Sequence, residues 1–324
     1  LQQLKLQPDG TVRPWTPSAL NTYLDCSLRF YFQYIAQLQA TPSPQPATDA
    51  LVFGNLLHTV MEKLYTPLLR QTALLQPQDF DQLQKAVVPT VQRVFMRTFQ
   101  QGKQQVASVQ GDQAIAQAIV TKMVRRMLTL DKAYAPFAIV GVELGRQTPL
   151  WLDFALDATT QVRLRGIIDR VDWKAEKFRV LDYKTGLDNK KLTSIASLFD
   201  REEPQRNKAA FQAFFYAWLF QQQGQHHLPA FVTKAATVTH CNAMPGLLNV
   251  RQLFDDQFDP RFYVQRPGSR QTMPIEAVKD YQEPWEEGLR QTLSDLLDPE
   301  VPFVQTKDEK RCTSCPYKRI CQRY

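Results

Sequence analysis

The chain has 324 residues, enough to bury a substantial core in one large domain or two smaller ones. It is 44% hydrophobic and 22% charged with a formal net charge of +7, an ordinary globular balance that leans mildly toward polyanions such as nucleic acid. No apolar run approaches the roughly 20 residues that a bilayer span needs, and the opening LQQLKLQPDG has neither an initiator Met nor a signal-peptide layout, so a cytoplasmic protein cut from a longer chain is expected.

Thr16-Pro17-Ser18 reads as an N-cap followed by Pro at the first helical position, opening a helix through Leu20, Tyr23 and Leu24. After Cys26, SLRFYFQYI continues as a second, aromatic helix. The Pro-rich TPSPQPATDA then reads as a loop, and LVFGNLLHTVMEKLY brings Phe53, Leu57, Val60, Met61 and Leu64 to helical spacing. Residues 79–101 and 112–134 read as two long amphipathic helices. Strand-like runs follow at 137–144, 149–157, 161–173 and 177–184, so a helical half precedes a mostly antiparallel sheet. An apolar helix over 206–223 comes next, then strand-like segments near 230–240 and 248–254, a weaker one at 261–265, and a last helix at 276–297. Composition never shifts sharply enough to mark a domain boundary.

The chemistry concentrates in IIDRVDWKAEKFRVLDYKTG, residues 167–186, which reads as a tight hairpin. Alternate strand residues point the same way, so Asp169 travels with Ile167, Val171 and Trp173, and Asp182 with Phe178, Val180 and Lys184. A turn in Lys174-Ala175-Glu176-Lys177 with an even loop pairs Trp173 with Phe178, Val171 with Val180, Asp169 with Asp182 and Ile167 with Lys184. The reverse face sets Asp172 against Arg179, a favourable pair. One rung then holds two like charges roughly 5 Å apart among apolar neighbours, which is destabilising unless one is protonated or a cation bridges them. A divalent ion is the simplest resolution, and Lys184 beside it supplies the equipment for activating water against a phosphodiester. A buried salt bridge of Lys184 with one aspartate is the structural alternative.

Cys312, Cys315 and Cys321 crowd the tail as C-x2-C-x5-C, spacing that in a cytosolic chain suggests a metal or cluster site rather than disulfides. Cys26 is the candidate fourth ligand, which would tie the two ends together. Cys241 stands alone and reads as a buried free thiol.

The run G-I-I-D-R-V-D followed by V-L-D-Y-K-T-G resembles the core of the PD-(D/E)xK nuclease superfamily, in the branch that holds the nuclease domains of bacterial RecB and AddB recombination proteins. Upstream, G-N-L-L-H is similar to that branch's helix with a metal-site His, here His58. Downstream, Gln212 and Tyr216 match its Q-x-x-x-Y motif. The cysteine pattern is similar to the iron-sulfur clasp of AddB-type nucleases and of CRISPR-adaptation exonucleases, with Ser27 after Cys26 where the family usually has Pro.

The resemblance implies a single α/β domain over 1–324 with a restriction-endonuclease-like central mixed sheet flanked by helices, a helical insertion at about 66–135 and a Cys-rich clasp at 310–324. It implies that His58, Asp169, Asp182 and the carbonyl of Tyr183 bind Mg2+ or Mn2+, with Lys184 assisting the attacking water. Cys26, Cys312, Cys315 and Cys321 would hold a [4Fe-4S] cluster, and Zn2+ on four thiolates is the alternative. Gln212 and Tyr216, one turn apart, fit a phosphate or base beside the cut, or else a buried hydrogen-bond pair. Glu143 in FAIVGVELG is a further acidic candidate, an exposed strand residue being the even alternative. Glu62, one turn beyond His58, reads as structural. Lys190, Lys191, Arg201, Arg206 and Lys208 fit either a DNA path or a solvated basic face. The activity so implied is a metal-dependent DNA nuclease, an exonuclease in end processing, recombination and repair, working on DNA beside a helicase. The alternatives are a CRISPR-adaptation-type exonuclease and a catalytically silent DNA-binding module.

Overall fold

The computed structural model describes residues 13–39, 50–70, 74–100, 111–235 and 242–323; the Pro-rich stretch 41–49 and Cys241 lie outside them. Thr16 caps α1 (Pro17–Asp25) by accepting a hydrogen bond from the Ala19 amide at 3.3 Å. Cys26 turns the chain into α2 (Ser27–Phe30), which continues as a π-helical turn over Tyr31–Ile35. Three longer helices follow: α3 (Ala50–Tyr65), α4 (Asp79–Gln100) and α5 (Asp112–Tyr134). The remaining elements are β1 (Ala138–Leu144), β2 (Leu150–Ala155), β3 (Gln161–Gly166), β4 (Ile168–Lys174), β5 (Lys177–Lys184), β6 (Lys191–Leu192), α6 (Lys208–Gln223), α7 (Ala230–Ala235), β7 (Asn242–Asn249), β8 (Tyr263–Gln265), β9 (Thr272–Pro274) and α8 (Gln282–Leu297).

The central sheet has the order β1-β4-β5-β7, antiparallel except for the parallel pair β5 and β7 that the crossover helix α6 makes possible. This mixed sheet flanked by helices is the restriction-endonuclease-like arrangement. Helix α6 is apolar almost all round, as a helix buried on every side must be, and its Phe211, Phe214, Phe215 and Trp218 join the core that takes Val171, Trp173, Phe178 and Val180 from the hairpin. The intervening residues Leu181 and Tyr183 belong to the opposite core, built on α3, α4 and α5 with Leu57, Val60, Val91 and Val124.

The β4–β5 hairpin has the register expected from the sequence, with Trp173 opposite Phe178, Val171 opposite Val180 and Asp172 opposite Arg179. Its loop is Ala175-Glu176, both at positive φ (48° and 63°), as a two-residue turn that follows the strand twist requires. Two strand expectations are corrected. The run 161–173 is two strands: β3 pairs with β2 in a separate hairpin, and the chain breaks at Ile167 before β4 enters the central sheet. The segment at 230 begins as helix α7, and the last central strand is 242–249 rather than 248–254. Pro245 and Gly246 hide that strand from sequence reading. Both are accommodated because β7 is the outer strand, where a missing N–H is tolerated, and because a Cβ on residue 246 would come within 2.7 Å of the Leu181 side chain.

On the face toward α5 the hairpin carries a largely buried ion network. The Arg170 guanidinium donates two 2.7 Å hydrogen bonds to Asp131 and further ones to Asp172 at 2.7 and 2.8 Å, while Arg179 reaches Asp172 at 2.6 Å. Tyr65 of α3 donates to Asp131 as well, so one network locks two helices to the hairpin beside its acid rung. Among the described residues no helix is long and apolar enough to cross a membrane.

Candidate active site

Three neighbouring strands bring three carboxylates to one level. Val142 pairs with Arg170 and Leu144 with Ile168, which puts Glu143 beside Asp169; the pair Arg170 and Leu181 puts Asp169 beside Asp182 in the same way. Glu143 itself has φ 49°, a strained conformation for a residue other than Gly, and such strain clusters at functional sites. Gly145 just beyond has φ 99°, and a Cβ there would stand 2.3 Å from the Gly166 carbonyl, so only glycine lets β1 turn away at this point.

Helix α3 delivers His58 across the end of β5. Its Nε2 lies 3.1 Å from the Tyr183 carbonyl oxygen, and its Nδ1 lies 3.3 Å from Asp169 and 3.8 Å from Glu143. One ligand atom from each of His58, Glu143 and Asp169 falls within 4.8 Å of the others, the arrangement of a metal-binding group. The Asp169 carboxylate also accepts the Tyr183 amide at 2.7 Å. Glu143 is therefore no exposed strand residue: its side chain is 9% exposed and is held by Arg146 at 2.7 Å.

Asp182 lies outside that trio of mutual contacts and faces the cationic side of the site. Lys184 Nζ is 3.0 Å from its Oδ2, and Gln212 donates to its Oδ1 at 2.9 Å. The same Gln212 amide accepts from Lys184 at 3.2 Å and also donates to the Tyr216 hydroxyl at 3.2 Å. Gln212 thus bridges the acid and the ammonium, and the buried Tyr216 backs it. Geometry of this kind fixes where Lys184 points.

Charge states follow from burial and neighbours. Burial, with the Asp169 charge adding, pushes the Asp182 carboxyl up to about 6 against the pull of the Lys184 ammonium. For Lys184 burial works the other way, but Asp182 and Asp169 outweigh it and hold the pKa above the ordinary lysine value, so the group stays cationic. Burial also disfavours the His58 imidazolium, yet its hydrogen bonds to Asp169 and Glu143 raise it to about 10. Glu143 goes down despite its burial because His58 and Arg146 both favour its charged form. Each buried acid of the site has a cation beside it, His58 with Glu143 and Asp169 and Lys184 with Asp182. Oδ2 of Asp182 is ion-paired with Lys184 but receives no well-formed hydrogen bond, so this buried carboxylate oxygen keeps acceptor capacity that a cation could use. Such a donor set, all oxygen and imidazole, suits a hard divalent cation.

The basic residues that follow the hairpin are mostly engaged elsewhere. Arg206 is buried against Asp25 and Asn21, Lys208 pairs with Asp25, and Lys190 donates to the Asp259 carbonyl. Glu62 sits close enough to act on the charge of Arg146, at the edge of the same cluster.

At the opposite end, Cys26, Cys312, Cys315 and Cys321 all line one cavity of about 260 Å3, and all four are free thiols. Arg29, Lys208, Lys310 and Lys318 line it too. Burial and the other three sulfurs raise the Cys312 thiol.

The profile of the PD-(D/E)XK nuclease superfamily matches residues 14–322, and the chain belongs to that superfamily. Among curated proteins none matches the sequence. Superfamily membership and the donor group around His58 together point to a nuclease that uses a divalent metal ion.

Proposed function

We infer that the protein is a Mg2+- or Mn2+-dependent deoxyribonuclease of the RecB/AddB type, an exonuclease that processes DNA ends in recombination and repair. The observation that carries this reading is the row of Glu143, Asp169 and Asp182 across three strands, closed by His58 on one side and Lys184 on the other. When bound, the ion would polarise the phosphodiester and lower the pKa of the attacking water. His58, Glu143, Asp169, Asp182 and the Tyr183 carbonyl are the groups that would hold it. Lys184, kept charged by Asp182 and Asp169, stabilises the negative charge that develops on the phosphate oxygens. Gln212 keeps that ammonium from swinging away, and Tyr216 restricts Gln212 in turn.

The four cysteines support a [4Fe-4S] cluster better than Zn2+. Zinc sites of four thiolates are usually built from paired C-x2-C units, whereas here one C-x2-C-x5-C tail would be completed by Cys26 near the other end of the chain, and all four cysteines line one cavity. A cluster has a larger radius, and the cationic rim suits its negative charge. A helicase that supplies single strands is the partner this reading includes, and the domain is read as one unit over 1–324 with a helical insertion and a C-terminal clasp.

The test is incubation with linear and circular DNA, single and double stranded, with Mg2+, with Mn2+ and with EDTA. Degradation of linear DNA that EDTA abolishes, with closed circles spared, is the expected outcome. Binding with no cleavage under any metal would favour the catalytically silent module instead.

A further inference from the structure

The loop that leaves Lys184 is fastened along its length. Val250 N donates to the Lys184 carbonyl at 2.9 Å, and Arg251 Nε reaches the Thr185 carbonyl at 3.5 Å. Asn249, 1% exposed, donates to the Gly186 carbonyl at 3.1 Å and to the Asp188 carboxylate at 3.4 Å. Further on, the α6 cap Asn207 holds the Asn189 carbonyl at 2.6 Å, and Tyr263 N holds that of Lys190 at 2.8 Å. Groups on β7, at the α6 cap and on β8 therefore fix this backbone, yet at its tip stands Leu187, 85% exposed, against 60% for the next most exposed large apolar side chain among the described residues, Ile115.

Single exposed leucines are common on protein surfaces and by themselves mean nothing. Here the position decides. Three residues of chain reach at most about 11 Å from Lys184, and stacked nucleotides advance about 3.4 Å each, so Leu187 stands within roughly three nucleotides of a phosphate at Lys184. A leucine held out rigidly at that distance offers an apolar surface to the flat face of a base while Lys184 and Arg251 attend the backbone.

Resting on the nuclease reading, we propose that Leu187 packs against a nucleobase next to the scissile phosphate and sets the register in which the strand lies across the site, with Asn249 as the residue that positions its loop. The contact is with the base face, so it tolerates any sequence and is lost where the base is missing.

The experiment measures binding of a fluorescein-labelled single-stranded DNA oligonucleotide to the full chain by anisotropy, with Ca2+ replacing Mg2+ and with one abasic residue moved stepwise along the strand. Wild type should show one position at which loss of the base weakens binding about tenfold, the scale of a single base contact. Leu187→Ser should bind the intact strand weaker by a similar factor and show no further loss at that position, whereas Leu187→Met should behave as wild type. The side chain is solvent-exposed, so folding is not at stake. Equal affinity of Leu187→Ser and wild type, the same abasic penalty in both, or no binding by wild type would each overturn the inference. A wild-type chain that binds in this pattern and yet cuts nothing in Mg2+ or Mn2+ would overturn the nuclease reading and leave only the contact of Leu187 with a base standing.

Discussion

Lys184 would lose its proton in a purely apolar pocket, because burial disfavours the ammonium; Asp182 and Asp169 reverse that and keep it charged. On the proposed nuclease reading its role is therefore electrostatic rather than that of a base. Lys184→Ala should lower kcat on linear DNA by about 10²- to 10³-fold, the usual effect of removing one preorganised donor, while DNA binding persists in a filter assay. On the same reading Gln212 acts through its contacts with Lys184 and Asp182, so Gln212→Ala should lower kcat roughly tenfold or more with KM little changed. Asp169, Asp182 and Lys184 were legible in the sequence because strand alternation, with an even turn setting the register, puts them on one side of a hairpin. Glu143 was not decided there, since its place beside Asp169 depends on an irregularity between Ile139 and Gly141 that no local pattern announces. Nor could the sequence tell that Gln212 faces Lys184, a contact made only when α6 crosses the sheet.

The hairpin is held against α3 and α5 by the Arg170 network, and this coupling of elements has a cost if broken. Arg170→Ala would leave Asp131 and Asp172 buried without their cation, a loss of roughly 3–5 kcal/mol in a denaturant titration. Asp131 gives a pH signature. Burial raises its carboxyl, but Arg170, then Arg179 and Tyr65, outweigh burial and hold it below the ordinary carboxylate value. A depressed folded pKa means stability that is fully present above the unfolded value of about 4 and is lost as pH falls from there through the folded pKa. In thermal melts across that range, Asp131→Asn should be less stable than wild type at neutral pH, with the gap narrowing in acid. The register rule foresaw the Asp172 and Arg179 pair within one hairpin; the third strandless partner, Asp131, comes from a helix far upstream and leaves no local trace. The same limit explains β7, whose Pro245 and Gly246 read as a break until the edge position and the close approach of Leu181 are known.

Both described ends of the chain meet in one clasp. Ser27 Oγ accepts the Val304 amide at 2.9 Å and donates to the Val304 carbonyl at 3.2 Å, Tyr317 reaches the Leu38 carbonyl at 2.8 Å, and Arg311 donates to the Asp25, Arg201 and Glu203 carbonyls. Ser27 is therefore a docking point for the C-terminal segment. A group bound by Cys26, Cys312, Cys315 and Cys321 would close nearly the entire chain into a loop, an effect of about 4–5 kcal/mol on the analogy of a long-loop disulfide. Anaerobically purified protein should be brown, and Cys315→Ser should lose the colour and melt at a lower temperature. A colourless wild type with one bound zinc would refute the cluster. The terminal cysteine pattern was legible because thiol spacing is local in the tail; that Cys26 joins it needed only the expectation of a fourth ligand, and the shared cavity supports that reading.

Everything proposed about cleavage depends on a cation being welcome among Glu143, Asp169 and Asp182. Calorimetric titration of Mn2+ into the wild type, Asp169→Asn and Asp182→Asn addresses this directly. Binding that is measurable in wild type, absent in Asp169→Asn and at least about tenfold weaker in Asp182→Asn is the expected result. Mn2+ affinity that is the same in all three proteins would contradict it.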